Sequence, residues 1–224
     1  MKYTLRIYRK KRSSDERYWQ DFIYESTDEN ETVANALTKI DVKWECSCMQ
    51  EKCGACAMII NNTPSLACGY KLSRCKNGIC KLEPLRKFPV VCDLIVDRSI
   101  LHENLKTMKI WLRQDADFEK DKDSLYRELA YESSECIQCG LCLEVCPNFY
   151  LGGDFFGAST VPLTLRLLSE SDRENFIENA KLYVKHEFEG CGKSFACKAI
   201  CPRHIDTERM MVKLNRVAVW KRRK

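Results

Sequence analysis

The residues that can do chemistry here are cysteines, 15 of them in 224 residues, and their spacing is ordered. Cys48, Cys53, Cys56 and Cys68 are separated by four, two and eleven residues. Three thiolates gathered by one tight loop, with a fourth delivered by a following strand, give two irons four sulfur ligands, which is the plant-type 2Fe-2S arrangement. Zinc loops usually pair two short Cys-x-x-Cys-like knuckles, which this spacing matches poorly. Gly54, between two of the cysteines, lets the loop curl so that backbone N–H groups can face sulfur.

A second run, Cys136, Cys139, Cys142 and Cys146 followed by Pro147, has the two, two, three spacing of bacterial-type ferredoxins. In two-cluster proteins the fourth cysteine of such a run ligates the other cluster. A partner run exists in Cys191, Cys197 and Cys201 before Pro202, with Ser194 where its second cysteine would fall. Crossing the fourth ligands assigns Cys136, Cys139, Cys142 and Cys201 to a 4Fe-4S cluster. Cys146, Cys191 and Cys197 then supply only three thiolates, which suits a 3Fe-4S cluster. The competing reading is a second 4Fe-4S cluster with Ser194 or solvent on its fourth iron, and hydroxyl ligation would require a deprotonated serine. Four cysteines remain. Cys46 and Cys92 are expected as free thiols. Cys75 and Cys80 bracket Lys76-Asn77-Gly78-Ile79, and Asn-Gly signals a two-residue type I′ hairpin that would set the two thiols directly opposite one another, oxidisable in air.

These loops need elements to hold them. Cys46 to Cys92 contain eight cysteines and Cys136 to Cys201 seven, with none in the 43 residues between, so two metal-bearing domains are expected, 1–100 and 101–224, with the boundary near 98–110. The connector includes the polar run at 113–124, which should be exposed and irregular. TLRIYR at 4–9 and YWQDFIY at 18–24 alternate in polarity and predict a hairpin. Val33, Leu37 and Ile40 recur at helical spacing behind Thr32 as N-cap. CAMII at 56–60 and VVCDLIVD at 90–97 read as further strands. A hairpin, a helix across it and a return to strands predict a β-grasp sheet. In the second half Leu163, Leu167 and Leu168, and Met210, Leu214 and Val217, recur at three and four, so that half is predicted all-α. The fold class is therefore α+β.

Composition narrows the function. Lys and Arg total 37 against 32 Asp and Glu, and a net charge of +5 spread over a mixed surface is too weak to argue for nucleic acid. No run approaches the roughly 18 apolar residues of a membrane span, and the first residues lack the apolar centre of a secretory signal, so a soluble cytoplasmic chain is expected. A dense cysteine set in such a chain ligates metal more readily than it forms bridges. No Gly-x-Gly-x-x-Gly follows a strand, and His102, His186 and His204 are scattered, read as ordinary surface or helix-end residues, with His204 alone close enough to a cysteine run to act behind the ligands. No catalytic residue is expected in this chain. Residues 213–224 hold six Lys or Arg and no acid, which suits either anionic headgroups or a solvated helix end.

The runs ECSCMQEKCGACAMII with SLAC, ECIQCGLCLEVCP and CGKSFACKAICPRHID resemble the iron-sulfur subunit of the succinate dehydrogenase and fumarate reductase family, and TVANALTKI, FPVVCDLIVD and FFGASTV extend the similarity over nearly the whole chain. CPNFY with GGDFFG is closer to the fumarate reductase branch. The resemblance implies a β-grasp ferredoxin domain and a helical ferredoxin domain, linking an FAD-containing flavoprotein to a membrane anchor that handles quinone, menaquinone for this branch. It also implies a chain peripheral on the cytoplasmic face of the inner membrane, serving fumarate respiration or the tricarboxylic acid cycle. Family members that bind quinone usually carry Trp at Leu151, often His at Gly192, and Lys at Asn215. These departures keep open an alternative, the iron-sulfur partner of a related flavoprotein reductase fed by a thiol or another non-quinone carrier.

Overall fold

The computed structural model describes residues 1–12, 15–111, 124–170 and 173–220. Most of the expected polar connector and the last four residues of the basic tail lie outside the described residues. The chain forms two compact units, one of residues 1–98 with 139–144, the other of 99–138 with 145–224. The short Cys139–Glu144 segment thus groups with the first unit although the cysteine run it belongs to begins in the second.

In the first unit, β1 (Lys2–Arg9) and β2 (Tyr18–Glu25) are the antiparallel hairpin expected from their alternation, paired from Lys2 with Glu25 to Arg9 with Tyr18. Tyr3, Leu5 and Ile7 point inward and are buried, and each fully buried aliphatic side chain contributes about 1.5–3 kcal/mol. The helix α1 (Val33–Leu37) starts where Thr32 accepts the N–H of Asn35, at 3.2 Å, and buries Val33, Ala34, Ala36 and Leu37. The strands β3 (Ala57–Ile60) and β4 (Thr63–Leu66) form a second hairpin. All four residues of β3 are buried, so covered faces on both sides erase any alternation.

The central strand of the sheet is β5 (Ile79–Glu83), parallel to β1 and antiparallel to β3, which gives the order β2-β1-β5-β3-β4 of a β-grasp sheet. This overturns the expected hairpin at Asn77-Gly78. Asn77 (φ 54°) and Gly78 (φ 69°) do adopt the left-handed conformation, but inside a single 3-10 turn, Lys76–Gly78, with Gly78 N–H donating to the Cys75 carbonyl at 3.2 Å. Residue 80 then joins β1, with Cys80 beside Leu5, instead of folding back on Cys75. A buried site between two hydrophobic strands outweighs the local preference of a dipeptide. The stretch 90–97 does form strands, β6 (Val90–Cys92) and β7 (Ile95–Val96), but among the described residues they pair with each other in a separate two-stranded sheet.

That small hairpin is held by a buried carboxylate. Asp93, 1% exposed at its turn, accepts from Arg9 Nε at 3.1 Å and from its terminal nitrogen at 2.7 Å, from Lys10 N–H at 3.1 Å and from Lys43 N–H at 3.0 Å. Burial alone would raise its pKa, but the Arg9 guanidinium and the N–H groups of Lys43 and Lys10 outweigh it and hold the carboxyl below the ordinary range. One side chain therefore ties β1, the segment leading to the first cysteine loop, and the β6–β7 turn together.

The second unit is helical. It contains α2 (Ser99–Thr107), α3 (Ser124–Ser134), α5 (Val161–Glu170), α6 (Arg173–Tyr183), α7 (Ala196–Ile200) and α8 (Thr207–Leu214), while α4 (Leu141–Val145) spans the division between the two units. Its core takes Leu129 from α3, Val161, Leu165, Leu167 and Leu168 from α5, and Met210, Met211 and Leu214 from α8. No described helix is long and apolar enough to cross a membrane. After α6 the chain loosens into a π-helical turn, Val184–Phe188. Its His186 is buried, contrary to the surface position expected for it. The ring stacks on Phe156 at 4.2 Å and its Nδ1 lies 2.7 Å from the Asp154 carbonyl. The neighbouring Glu187 is buried too, accepting the Thr164 hydroxyl at 2.9 Å on one oxygen while the other has no partner. Burial pushes its carboxyl up to about 8.

Asp93→Ala would leave the buried Arg9 without its carboxylate, with only Gln20 still accepting from it, and should cost about 3–5 kcal/mol in urea unfolding. Because the folded pKa is depressed, this contribution is fully present above the unfolded carboxylate pKa and is lost as pH falls through the folded value, so the gap between wild type and variant should close in acid. Glu187 has the opposite sign. Its folded state keeps a proton that the unfolded chain gives up, so stability falls as pH rises from the unfolded value of 4.5 towards about 8, and Glu187→Gln should flatten that slope in thermal unfolding.

Candidate metal centres

The β3–β4 hairpin sets the first centre. Cys56 immediately precedes β3 and Cys68 follows β4 by two residues, and the Ala67 N–H bonded to the Cys56 carbonyl at 3.1 Å extends the ladder so that the two sulfurs lie 3.3 Å apart. Cys48 and Cys53 come from the loop before them, close enough together that Cys53 helps to lower the Cys48 thiol. The four cysteines are therefore gathered as two pairs. Two pairs of thiolates are what two irons need.

Backbone N–H groups face these sulfurs. Gln50 and Lys52 each donate to Cys48 at 3.3 Å, and Glu51 donates to Cys68 at 3.2 Å. The donors point inward because Met49 (φ 55°) and Glu51 (φ 56°) alternate with ordinary residues in the left-handed conformation, the geometry of a backbone anion nest, with Gly54 (φ 73°) continuing the curl. The N–H bonds of Gln50 and Lys52 bring the Cys48 thiol down to about 7, while burial and Cys56 push Cys68 up to about 12. One end of the loop already favours thiolate, and the other is buried. These donors fit a 2Fe-2S cluster, whose bridging sulfides and thiolates are all anionic.

The other cysteine loops repeat the device. Gln138 (φ 50°) and Gly140 (φ 83°) alternate in the first, Lys193 (φ 57°) and Phe195 (φ 53°) in the second. Gln138 also extends its side-chain amide to the Cys136 sulfur at 3.1 Å and to the Ser159 carbonyl at 2.9 Å. Within the helical unit, the Cys197 thiol is close enough to Cys146 and Cys191 to be influenced by both, and Cys136 is influenced by Cys201. Burial raises Cys197 and Cys136 alike, while Thr207, 3.4 Å from the Cys197 sulfur, and Gln138 work in the other direction. Cys139 and Cys142 lie in the segment that groups with the first unit. Ser194 is exposed on the 191–197 loop.

The remaining residues fall outside these centres. Cys46 is exposed and Cys92 half-buried. Cys75 and Cys80 are both buried and close enough to shift one another, Cys75 down and Cys80 up, so the thiols are neighbours even though no hairpin joins them. The His204 side chain is exposed, and only its backbone N–H turns back, to the Cys201 carbonyl at 3.1 Å. What sequence reasoning missed are the left-handed residues. Left-handed φ outside glycine is enriched in Asn and Asp, and Met49, Glu51, Gln138, Lys193 and Phe195 carry no such signal.

Both parts of the chain resemble known iron-sulfur domains. Residues 4–103 match the 2Fe-2S iron-sulfur cluster binding domain family, and residues 132–205 match the 4Fe-4S dicluster domain family. The succinate dehydrogenase iron-sulfur subunit of Bacillus subtilis is 34% identical over 182 residues, 78% of this chain and 71% of the relative. The fumarate reductase iron-sulfur subunit of Escherichia coli is 32% identical over 171 residues, 74% of this chain and 70% of the relative. In structure, a chain of the Mycobacterium smegmatis Sdh1 complex in the apo form superimposes with a TM-score of 0.77 over 96% of each chain at 22% identity, which shows a shared fold.

The nest can be tested at Glu51. A β-branched residue is a genuine outlier at positive φ, so Glu51→Val should lower the visible absorbance of the 2Fe-2S centre per chain, whereas Glu51→Gly, which relieves about 1 kcal/mol of left-handed cost, should keep it.

Proposed function

Because this chain belongs to the family of succinate dehydrogenase and fumarate reductase iron-sulfur subunits, we propose that it relays electrons between an FAD-containing flavoprotein, which holds the dicarboxylate, and a membrane anchor that handles menaquinone, from the cytoplasmic face of the inner membrane. Iron-sulfur clusters supply single-electron steps without proton or group transfer at the metal. Cys48 and Cys53 would hold one iron of the 2Fe-2S cluster and Cys56 and Cys68 the other. Cys136, Cys139, Cys142 and Cys201 would hold the 4Fe-4S cluster, and Cys146, Cys191 and Cys197 the 3Fe-4S cluster. The two domains would be 1–100 and 101–224. What supports this assignment is the spacing of the three cysteine runs, together with the Cys56 and Cys68 sulfurs 3.3 Å apart, Cys197 near Cys146 and Cys191, and Cys136 near Cys201.

The chain's own groups hold and solvate the thiolates; they do not act on a carboxylic acid. His186 is stacked and buried, and Glu187 is bonded to threonine, so neither offers a base to a substrate. The dicarboxylate chemistry belongs to the partner.

One observation favours the second reading, a flavoprotein reductase fed by a thiol or another non-quinone carrier. Asn215, where quinone-binding relatives tend to have Lys, accepts the Tyr183 hydroxyl at 2.6 Å and is absorbed into the helical unit. Leu151 and Gly192 are exposed at the other two positions.

Co-purification of the native complex, followed by assays of succinate oxidation and fumarate reduction, tests both readings. The isolated, flavin-free chain should do neither, and the complex should do one or both, with a menaquinol analogue as electron donor for fumarate reduction and a menaquinone analogue as acceptor for succinate oxidation. Fumarate reduction driven by a dithiol and not by the quinol would support the second reading, and turnover by the isolated chain would overturn both.

A further inference from the structure

We propose that Arg98 is a positioning residue for the 2Fe-2S loop and that its charge, set against Glu45, tunes how readily that centre accepts an electron; this rests on the assignment of Cys48, Cys53, Cys56 and Cys68 to the centre. Arg98 is the last residue of the first unit's main segment, two residues beyond β7. Its guanidinium donates to the Gly54 carbonyl at 3.1 Å and to the Ala55 carbonyl at 2.7 Å. Gly54 and Ala55 are the two residues that separate Cys53 from Cys56, and each of these cysteines belongs to a different sulfur pair. The same terminal nitrogen that reaches Ala55 pairs with the Glu45 carboxylate at 3.3 Å.

The fork geometry explains why arginine serves here. Two successive carbonyls are engaged by two nitrogens of one planar group, which the compact ammonium of lysine cannot reproduce. The remaining nitrogen, Nε, is buried without a hydrogen-bond partner, so the guanidinium is oriented by its contacts to the loop and to Glu45 at the expense of one of its own donors.

The electrostatics follow from unequal exposure. The Arg98 side chain is 16% exposed and that of Glu45 43%, so the anion is screened more strongly by water than the cation. The pair therefore leaves a net positive field at the loop. Reduction adds one electron, and thus one negative charge, with no bond made or broken, so a neighbouring cation favours the reduced form and a neighbouring anion opposes it.

The test is an EPR-monitored redox titration with dithionite on the intact complex, with the other two clusters as internal controls. Arg98→Gln should lower the reduced-to-oxidised ratio of the 2Fe-2S centre at the wild-type midpoint by about tenfold, a shift of about 59 mV for a one-electron couple. Glu45→Gln, which leaves the fork in place, should move the ratio the opposite way. Arg98→Lys should stay nearer wild type in potential than Arg98→Gln while broadening the EPR line as the loop loosens. An Arg98→Gln centre that assembles with an unchanged potential would overturn the proposal. Should Arg98→Gln fail to assemble the centre, an unchanged or same-signed shift in Glu45→Gln would overturn it. A wild-type complex with no 2Fe-2S signal would instead refute the site assignment on which the proposal rests.

Discussion

Thiolates and sulfides carry negative charge into a protein interior, and an interior accepts charge only where donors are aimed at it. Everything in this chain that matters for function serves that demand. In the first loop, the N–H groups of Gln50, Glu51 and Lys52 point at sulfur because Met49 and Glu51 hold a left-handed backbone. The 138–140 and 193–195 segments repeat the alternation in the second and third loops, and Gln138 adds a side-chain donor to the Cys136 sulfur. Left-handed conformation costs about 1–2 kcal/mol at each non-glycine residue, so these loops store strain that the surrounding fold must outweigh.

The fold supplies that excess from buried surface and from one carboxylate. The β-grasp sheet buries Leu5, Ile7, Ile60 and Leu82 completely, and α1 closes it with Val33 and Leu37. Asp93 then fastens three separate segments, through Arg9, Lys10 and Lys43, and Lys43 stands only five residues before Cys48. The entry to the first loop is thereby anchored on one side, while the β3–β4 ladder fixes Cys56 and Cys68 on the other. In the helical unit α5 packs against α3 and α8, burying Leu129, Leu165, Met210 and Leu214.

Much of this was legible in the residues. Cysteine spacing is local and chemical, so it points to cluster types without help from tertiary structure, and the alternation of β1 and β2 and the Thr32 cap were visible for the same reason. What escaped was decided by long-range contact. Asn77-Gly78 has the local chemistry of a tight hairpin, yet the residues after it pair with β1, far away in sequence. His186 looked like a surface residue because its neighbours are charged, but the π-helical turn rotates it onto Phe156. The nest residues were invisible because Met, Glu, Gln, Lys and Phe adopt positive φ only when the loop around them compels it.

The cysteine runs are assigned three different clusters, the last with only three thiolates. Low-temperature EPR of the oxidised chain, purified anaerobically with iron in excess, addresses that assignment most directly. A 3Fe-4S signal that vanishes on mild reduction is expected, with the 2Fe-2S signal emerging as reduction proceeds. A chain that shows only 4Fe-4S signals beside the 2Fe-2S centre under those conditions would contradict it, and would place Ser194 or solvent on the fourth iron.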